Sequence, residues 1–428
     1  MIDQSTFSKQ PIKYLFVDFN SYFASVEQDA EPRIRNRPVA VVPTMTDATC
    51  AIAASYEAKA YGIKTGTKIF EAKRLCPDLI CVPARHDVYV EYHNRILKEV
   101  DKYIPIEKVF SIDEFVCELQ GKERTNEGAI DLARRIKHGI QSNVGEYIRS
   151  SIGIAQNPFL AKLATELEKP NGLVVLNPED LPDKLFKLKL SDICGVGKSM
   201  EKRLKLNNVV SIEDLYNLSA KHMRKIWHSV SGERMYYNLR GHELPEPPTQ
   251  KRTVGHSHVL APEFRPQPKA KIVAQRLTLK AASRLRRLGY NSRAMDLSMR
   301  VENGYRISAT KSFHHACDNF TFLGVLNSLW QEVLSQAPKN ARVKKISILM
   351  HSFIANDEIY PELFDKYHVL KDTEEAKKHE KVSQAMDKLN GKYGRDTIVI
   401  GFTPDTSSHF SGTKIAFNRI PEIEEFSE

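Results

Sequence analysis

Three carboxylates stand out by their settings. Asp18 ends the apolar run KYLFVDF (13–19), and Asp113 and Glu114 are adjacent inside FSIDEF. Adjacent acids in an apolar strand are costly, because alternation turns one of them inward without a partner. A divalent cation removes that cost. Carboxylates gathered from separate strands can hold two oxygen-ligated Mg²⁺ ions, which lower a hydroxyl's pKa, orient a triphosphate and stabilise an in-line phosphoryl transfer. Taken singly, Asp18 is equally a helix cap, and without further motifs the acidic clusters read as ordinary surface or salt-bridged acids. Basic groups extend the pattern. In SYEAKAYGIKTG (55–66), Tyr56 and Lys59 lie one helical turn apart, a hydroxyl and an ammonium able to hold a phosphate. SIGIAQNPFLAKLATELEKPNGLVVL (151–176) adds Lys162 and Lys169, the second followed at once by a Pro-Asn-Gly turn (170–172).

The elements that must position these groups alternate. The pattern predicts a strand at 13–19, a helix at 20–29, a strand at 33–42, helical pieces between Tyr56 and Cys76, a helix near 88–103 and a strand pair at 106–118 with SIDE inside it. Residues 128–142 carry apolar side chains at helical spacing, 150–155 reads as a strand and 158–167 as a helix. This is an α+β layer pattern. Short helical stretches follow over 186–243, then the proline-rich linker ELPEPPTQKR (243–252), a second α/β region over about 253–356, a charged helix at 371–390, a strand at 396–402 and an acidic tail. CGVGKS (194–199) is not a P-loop, because Asp192 stands where that motif needs glycine. LSDICGVGKSMEKRLKL reads instead as a helix-hairpin-helix, whose Gly195, Gly197 and Lys198 can present backbone N–H groups and a helix N-terminus to a phosphate.

Composition narrows the class. The 428 residues are 41% hydrophobic and 27% charged, which excludes a wholly disordered chain or a fibre. No apolar run approaches the ~20 residues of a membrane span, and the first ten residues resemble no secretory signal. Six scattered cysteines without CxxC pairs suit a reducing cytoplasm. The net charge of +10 is unevenly placed: residues 251–356 hold 18 Lys+Arg against 5 Asp+Glu, so this region is +13 and the remainder −3. Lys280, Arg284 and Arg287 share one helical face, and Arg284, Arg286 and Arg287 are the expected contacts to a nucleic-acid backbone.

DFNSYFASVE, YEAKAYG, SIDE and GIAxNxxLAKLAxxxxKPNG, in this order, resemble the Y-family DNA polymerases over roughly residues 12–360. The acids are 95 residues apart, and Lys169 falls 56 beyond Asp113. The resemblance implies an α+β multidomain right hand: a ferredoxin-like palm (12–29 and 87–176), small fingers (30–86), a helical thumb with the hairpin motif (177–243), a linker (244–252), a basic α/β little finger (253–356) and a C-terminal extension (357–428). Asp18, Asp113, Glu114 and the Phe19 carbonyl would hold two Mg²⁺ ions, with Mn²⁺ able to substitute. Phe23 would be the steric gate against ribonucleotides. Tyr56, Lys59 and Lys169 would contact the incoming dNTP, and Gly66 would line the nascent base pair.

The implied activity is template-directed, low-fidelity synthesis on primer–template DNA past lesions, by a cytoplasmic monomer without proofreading or membrane contact. Two positions depart from many relatives: Asn20 replaces an acid, and Lys59 replaces an arginine, losing its planar fork. Both variants, with LNGKYGRDTIVIG near the end, look UmuC-like, whereas the SYEA tyrosine is more DinB-like. IYPELFD (359–365) keeps Leu363 and Phe364 of a sliding-clamp peptide but has Tyr360 where glutamine is expected. The rival readings are a catalytically impaired DNA-binding scaffold on the same fold and a metal-dependent nuclease, which has no need for Phe23.

Overall fold

The computed structural model describes residues 10–245, 250–358, 374–394, 397–400 and 420–421. Leu363 and Phe364 of the clamp-like peptide lie outside the described residues, as do linker residues 246–249 and most of the tail. The chain divides into two compact units, the first reaching to Glu246 and the second beginning at Pro247.

In the first unit, β1 (Tyr14–Phe19) is buried at every position because it lies inside a five-stranded sheet, order β5-β6-β1-β7-β8. The others are β5 (Ile106–Ser111), β6 (Glu114–Glu118), β7 (Ser150–Ala155) and β8 (Leu173–Val175). β1 runs antiparallel to both β6 and β7, and β8 parallel to β7. The first four strands and their connections follow the ferredoxin-like βαββαβ plan. Alternation along β1 separates two cores. Leu15, Val17 and Phe19 pack with α1 (Tyr22–Ala30), α4 (His86–Val100) and α5 (Asn126–Asn143), while Tyr14 and Phe16 pack with α6 (Pro158–Leu167). Asp18 therefore faces the α6 side.

Between α1 and α4 sits a small sheet, order β3-β2-β4, of β2 (Val39–Val42), β3 (Ala53–Ala54) and β4 (Ile80–Pro83). It shares its core with α2 (Tyr56–Ala60) and α3 (Ile69–Leu75). The strand expected at 33–42 starts only at Val39, because Pro32–Ile34 form a 3₁₀ turn and Asn36 takes a φ of 57°. After β8 come four short helices, α7 (Lys198–Leu206), α8 (Ile212–Tyr216), α9 (Ala220–Trp227) and α10 (Val230–Leu239). The last three begin at Ser211, Ser219 and Ser229, whose hydroxyls accept from backbone N–H groups of the first turn. Ile420 packs against the core under β1, so part of the C-terminal extension belongs to this unit.

The second unit is an antiparallel sheet, order β11-β10-β12-β9, of β9 (Thr253–Val259), β10 (Tyr290–Val301), β11 (Arg306–Ala316) and β12 (Val343–Ala355). Two helices, α11 (Gln267–Arg287) and α12 (Asn319–Gln336), cover the face formed by Met295, Leu297, Met299 and Val301. A third, α13 (Glu374–Tyr393), docks through polar and aromatic contacts. The Asn319 N–H donates to Ser383 Oγ at 3.0 Å, and the rings of Phe320 and His379 stack at 4.2 Å.

Three expectations are corrected. Ile112 and Asp113 form the turn between β5 and β6, so only Glu114 of the acid pair lies in a strand and neither is forced inward by alternation. Residues 397–400 are not a strand: the Asn390 amide accepts from the Ile398 N–H at 2.8 Å and donates to its carbonyl at 3.0 Å, ending the helix instead. Arg286 is not a surface contact. Its side chain is 7% exposed, and it donates to Asp387 at 2.6 and 2.9 Å, to the Cys317 carbonyl at 2.6 Å and to Asn319 Oδ1 at 3.0 Å. Arg284 is half-buried and Arg287 exposed. Arg286 thus ties α13 to α11. Arg286→Ala leaves Asp387 part-buried without its cation, and it is expected to lower the unit's stability by about 1–3 kcal/mol, read by urea denaturation.

Candidate active site

The register places Asp18 opposite Glu114 on one side and Ser151 on the other, so the centre lies where three strands meet. Asp113 reaches it from the β5–β6 turn, whose carbonyl accepts from the Phe19 N–H at 2.9 Å. Asp18 is 5% exposed. Asp113 Oδ1 accepts from Ser111 Oγ at 2.6 Å. Burial, reinforced by the neighbouring charge of Asp18, pushes the Asp113 carboxyl up, and burial also raises Glu114.

Helix α6 supplies the opposite charge. The Lys162 ammonium donates to Asp18 Oδ2 and, at 2.5 Å, to Glu114 Oε1. Lys169 donates to the same Asp18 oxygen at 3.0 Å and to Glu166 at 2.7 Å. Burial opposes both ammoniums, yet the surrounding carboxylates outweigh it and both pKa values are raised. Helix α6 comes this close because β7 carries Gly153. A Cβ there would meet the Ala161 carbonyl at 2.0 Å and the Ala164 methyl at 2.7 Å.

The turn after Lys169 is held from two sides. Lys137 of α5 donates to the carbonyls of Ser150 (2.7 Å), Asn171 (2.8 Å) and Gly172 (3.2 Å), and burial pushes its ammonium down to about 8. Asn20 Oδ1 accepts from the Asn171 N–H at 2.7 Å, while its amide donates to Ser151 Oγ at 3.0 Å. Asn20 is therefore a brace for the Lys169 turn rather than a weakened metal ligand.

Tyr56 and Lys59 approach from α2, with the ammonium 4.4 Å from the Tyr56 ring centroid. Burial raises Tyr56 and lowers Lys59, and the charge of Lys169 lowers both. These three side chains thus share one electrostatic neighbourhood with Asp18 and Glu166. Phe23 stacks on Tyr89 at 4.4 Å and 16°, and meets His86 edge-on. Tyr89 is anchored below: its hydroxyl donates to buried Glu27 at 2.7 Å, and Glu27 accepts from Arg85 at 2.5 Å. Gly66 has a φ of 90°, which is what requires glycine there, and a Cβ would meet nothing within 4 Å. Gly195, Gly197 and Lys198 are exposed at the turn that opens α7.

Among the described residues, no cluster of three or more His, Cys, Asp or Glu side chains has closed to metal-binding geometry. The donor set nonetheless fits a hard divalent cation. It consists of carboxylate oxygens, two of which already converge on a single ammonium, and burial raises the pKa of two of the acids although Lys162 opposes the rise. Sequence reasoning quoted Lys162 without giving it a place at the carboxylates, and missed Glu166, Lys137 and Tyr89. The Lys162/Glu166 spacing of four on a helix was the available signal; the other two depend on long-range packing.

The comparisons agree along the chain. Residues 17–166 match the impB/mucB/samB family, 178–209 that family's HHH motif, and 251–361 its C-terminal domain. A DNA polymerase IV of Moorella thermoacetica is 29% identical over 391 residues, 90% of this chain and 94% of that protein. DNA polymerase IV 1 of Bacillus subtilis is 28% identical over 392 residues, 90% of this chain and 92% of that protein. Among solved structures, a Y-family DNA polymerase chimera, Dbh-Dpo4(243-245)-Dbh, superposes with a TM-score of 0.67 at 26% identity, over 80% of this chain and all of that one. An insertion ternary complex of Dbh DNA polymerase gives 0.52 at 27%, with the same coverage.

Gly153→Ala would force α6 away from β7 and carry Lys162 and Lys169 off the carboxylates. The expected cost is about 1–3 kcal/mol or more, read by thermal and urea unfolding.

Proposed function

The chain belongs to the Y family of DNA polymerases, on its DinB-like side, and we infer from that membership and from its carboxylate centre that it extends a primer on a DNA template, past lesions as well as along intact template. The observation that carries the reading is the gathering, within one unit, of Asp18, Asp113 and Glu114 beside Lys169, Tyr56 and Lys59. Acids alone would suit a nuclease. Acids beside two ammoniums and a hydroxyl suit a bound triphosphate.

We read residues 12–29 and 87–176 as palm, 30–86 as fingers, 177–243 as thumb and 253–356 as little finger. Two Mg²⁺ ions held by Asp18, Asp113, Glu114 and the Phe19 carbonyl would lower the pKa of the primer hydroxyl and neutralise charge on the triphosphate. The chain's own residues do the positioning. Lys169, braced by Asn20 and Lys137, and the Tyr56–Lys59 pair bind phosphate oxygens and hold the nucleotide in line. Phe23, backed by Tyr89, sets a hard floor beneath the sugar, where a 2′-hydroxyl would clash. Gly195, Gly197 and Lys198 offer backbone N–H groups and charge to a DNA phosphate. Arg284 and Arg287 remain candidates for phosphate contact from the basic unit, and Arg286 does not. A clamp contact through Leu363 and Phe364, and a monomeric state, complete the proposal.

Two variants test it. In primer extension with Mg²⁺, Asp113→Ala is expected to lose activity by roughly 10²-fold or more. Extension unchanged in the variant, or absent in the intact protein, rejects the assignment. Phe23→Ala is expected to raise ribonucleotide incorporation relative to deoxynucleotide by roughly 10–200-fold, measured as a ratio of kcat/KM values, and no rise removes Phe23 from the gate.

A further inference from the structure

We propose that Lys162 is an internal counter-ion that holds the acidic centre together in its metal-free state and competes with divalent cations for Asp18 and Glu114. The inference rests on the reading of this centre as the polymerase metal site. The Lys162 side chain is 12% exposed, and its ammonium is shared between Asp18 Oδ2 and Glu114 Oε1. Those two residues come from neighbouring strands and are two of the three expected metal carboxylates. Without a cation between them, Asp18 would keep only Lys169, and Glu114 would face Asp18 and Asp113 with no ammonium shared across the pair, an arrangement that costs stability or disperses the acids. Lys162 is delivered there by construction. Gly153 lets α6 lie against β7, and the ammonium lies 5.4 Å from the Phe16 ring centroid.

A second partner waits one turn along the same helix. Glu166 Oε1 is 3.6 Å from the Lys162 ammonium, at the i+4 spacing that lets the two meet by a rotamer change alone. Lys169 already holds Glu166 at 2.7 Å and touches only Asp18 of the three metal carboxylates, so it bridges none of them. Lys162 is the cation that must withdraw, from Asp18 and Glu114 to Glu166, before those oxygens can turn to a metal. The side chain thus positions the ligands before loading and yields them on loading.

The test is a Mn²⁺ titration of the full chain without DNA or nucleotide, followed by electron paramagnetic resonance of free Mn²⁺. Lys162→Met is expected to bind Mn²⁺ roughly tenfold tighter than the native protein. Its metal-free form should melt at a lower temperature, and saturating Mn²⁺ should restore the loss. Glu166→Gln, which removes the receiving carboxylate, is expected to bind Mn²⁺ more weakly. Should Lys162→Met not fold, Lys162→Arg keeps a cation with a carboxylate-matching fork, and weaker Mn²⁺ binding is expected. Unchanged or weaker affinity in Lys162→Met, or unchanged or tighter affinity in Lys162→Arg, overturns the proposal. Asp18→Asn separates the two claims: native-like Mn²⁺ binding there refutes the metal centre itself, whereas lost binding with an unaffected Lys162→Met refutes only the competition.

Discussion

A carboxylate on the central strand of a sheet is the constraint from which the rest of the first unit follows. Asp18 has strands on both sides and a helix above it, so its charge is stable only while other groups answer it. Lys162 and Lys169 answer it from α6, and Glu166 balances them in turn. Their reach depends on the absence of one methyl group at Gly153. The turn beyond Lys169 is then fixed by Asn20 and Lys137, so a residue beside the acid and a helix on the far side of the sheet both serve one ammonium.

The proposed steric gate, Phe23, rests on a different kind of support. A single, partly buried aromatic ring can tilt, and a gate that tilts does not discriminate. Phe23 is prevented from doing so by a column of contacts, ring on ring to Tyr89, hydroxyl to Glu27, and carboxylate to Arg85. The basic excess lies elsewhere, in the second unit, where part of it is structural. Arg286 spends its guanidinium on Asp387, Asn319 and a carbonyl, joining the extension helix to the domain.

Much of this was legible in the sequence because short-range signals carry it. The apolar run ending in Asp18, the helical spacing of Tyr56 and Lys59 and the proline-rich linker all report local geometry, and the motif order reports the family. Long-range pairings were not legible. Nothing near Arg286 announces an aspartate 101 residues away, so the sequence alone places Arg286 with Arg284 and Arg287 among the nucleic-acid contacts. The alternation rule placed Asp113 inside a strand, whereas a two-residue turn there frees it. The strand expected from TIVI gives way to an asparagine that pairs with the backbone of Ile398. In the sequence Asn20 shows only as the replacement of an acid, because its value as a brace depends on Asn171, brought beside it only by the fold.

Crystals of the full chain with primer–template, a non-hydrolysable deoxynucleotide and Mn²⁺, measured at the manganese absorption edge, would locate the metals directly. Two anomalous peaks bounded by Asp18, Asp113 and Glu114, with Lys162 turned to Glu166, are the expected result. Peaks bounded by other residues, or an occupied centre in which Lys162 still bridges Asp18 and Glu114, would contradict it.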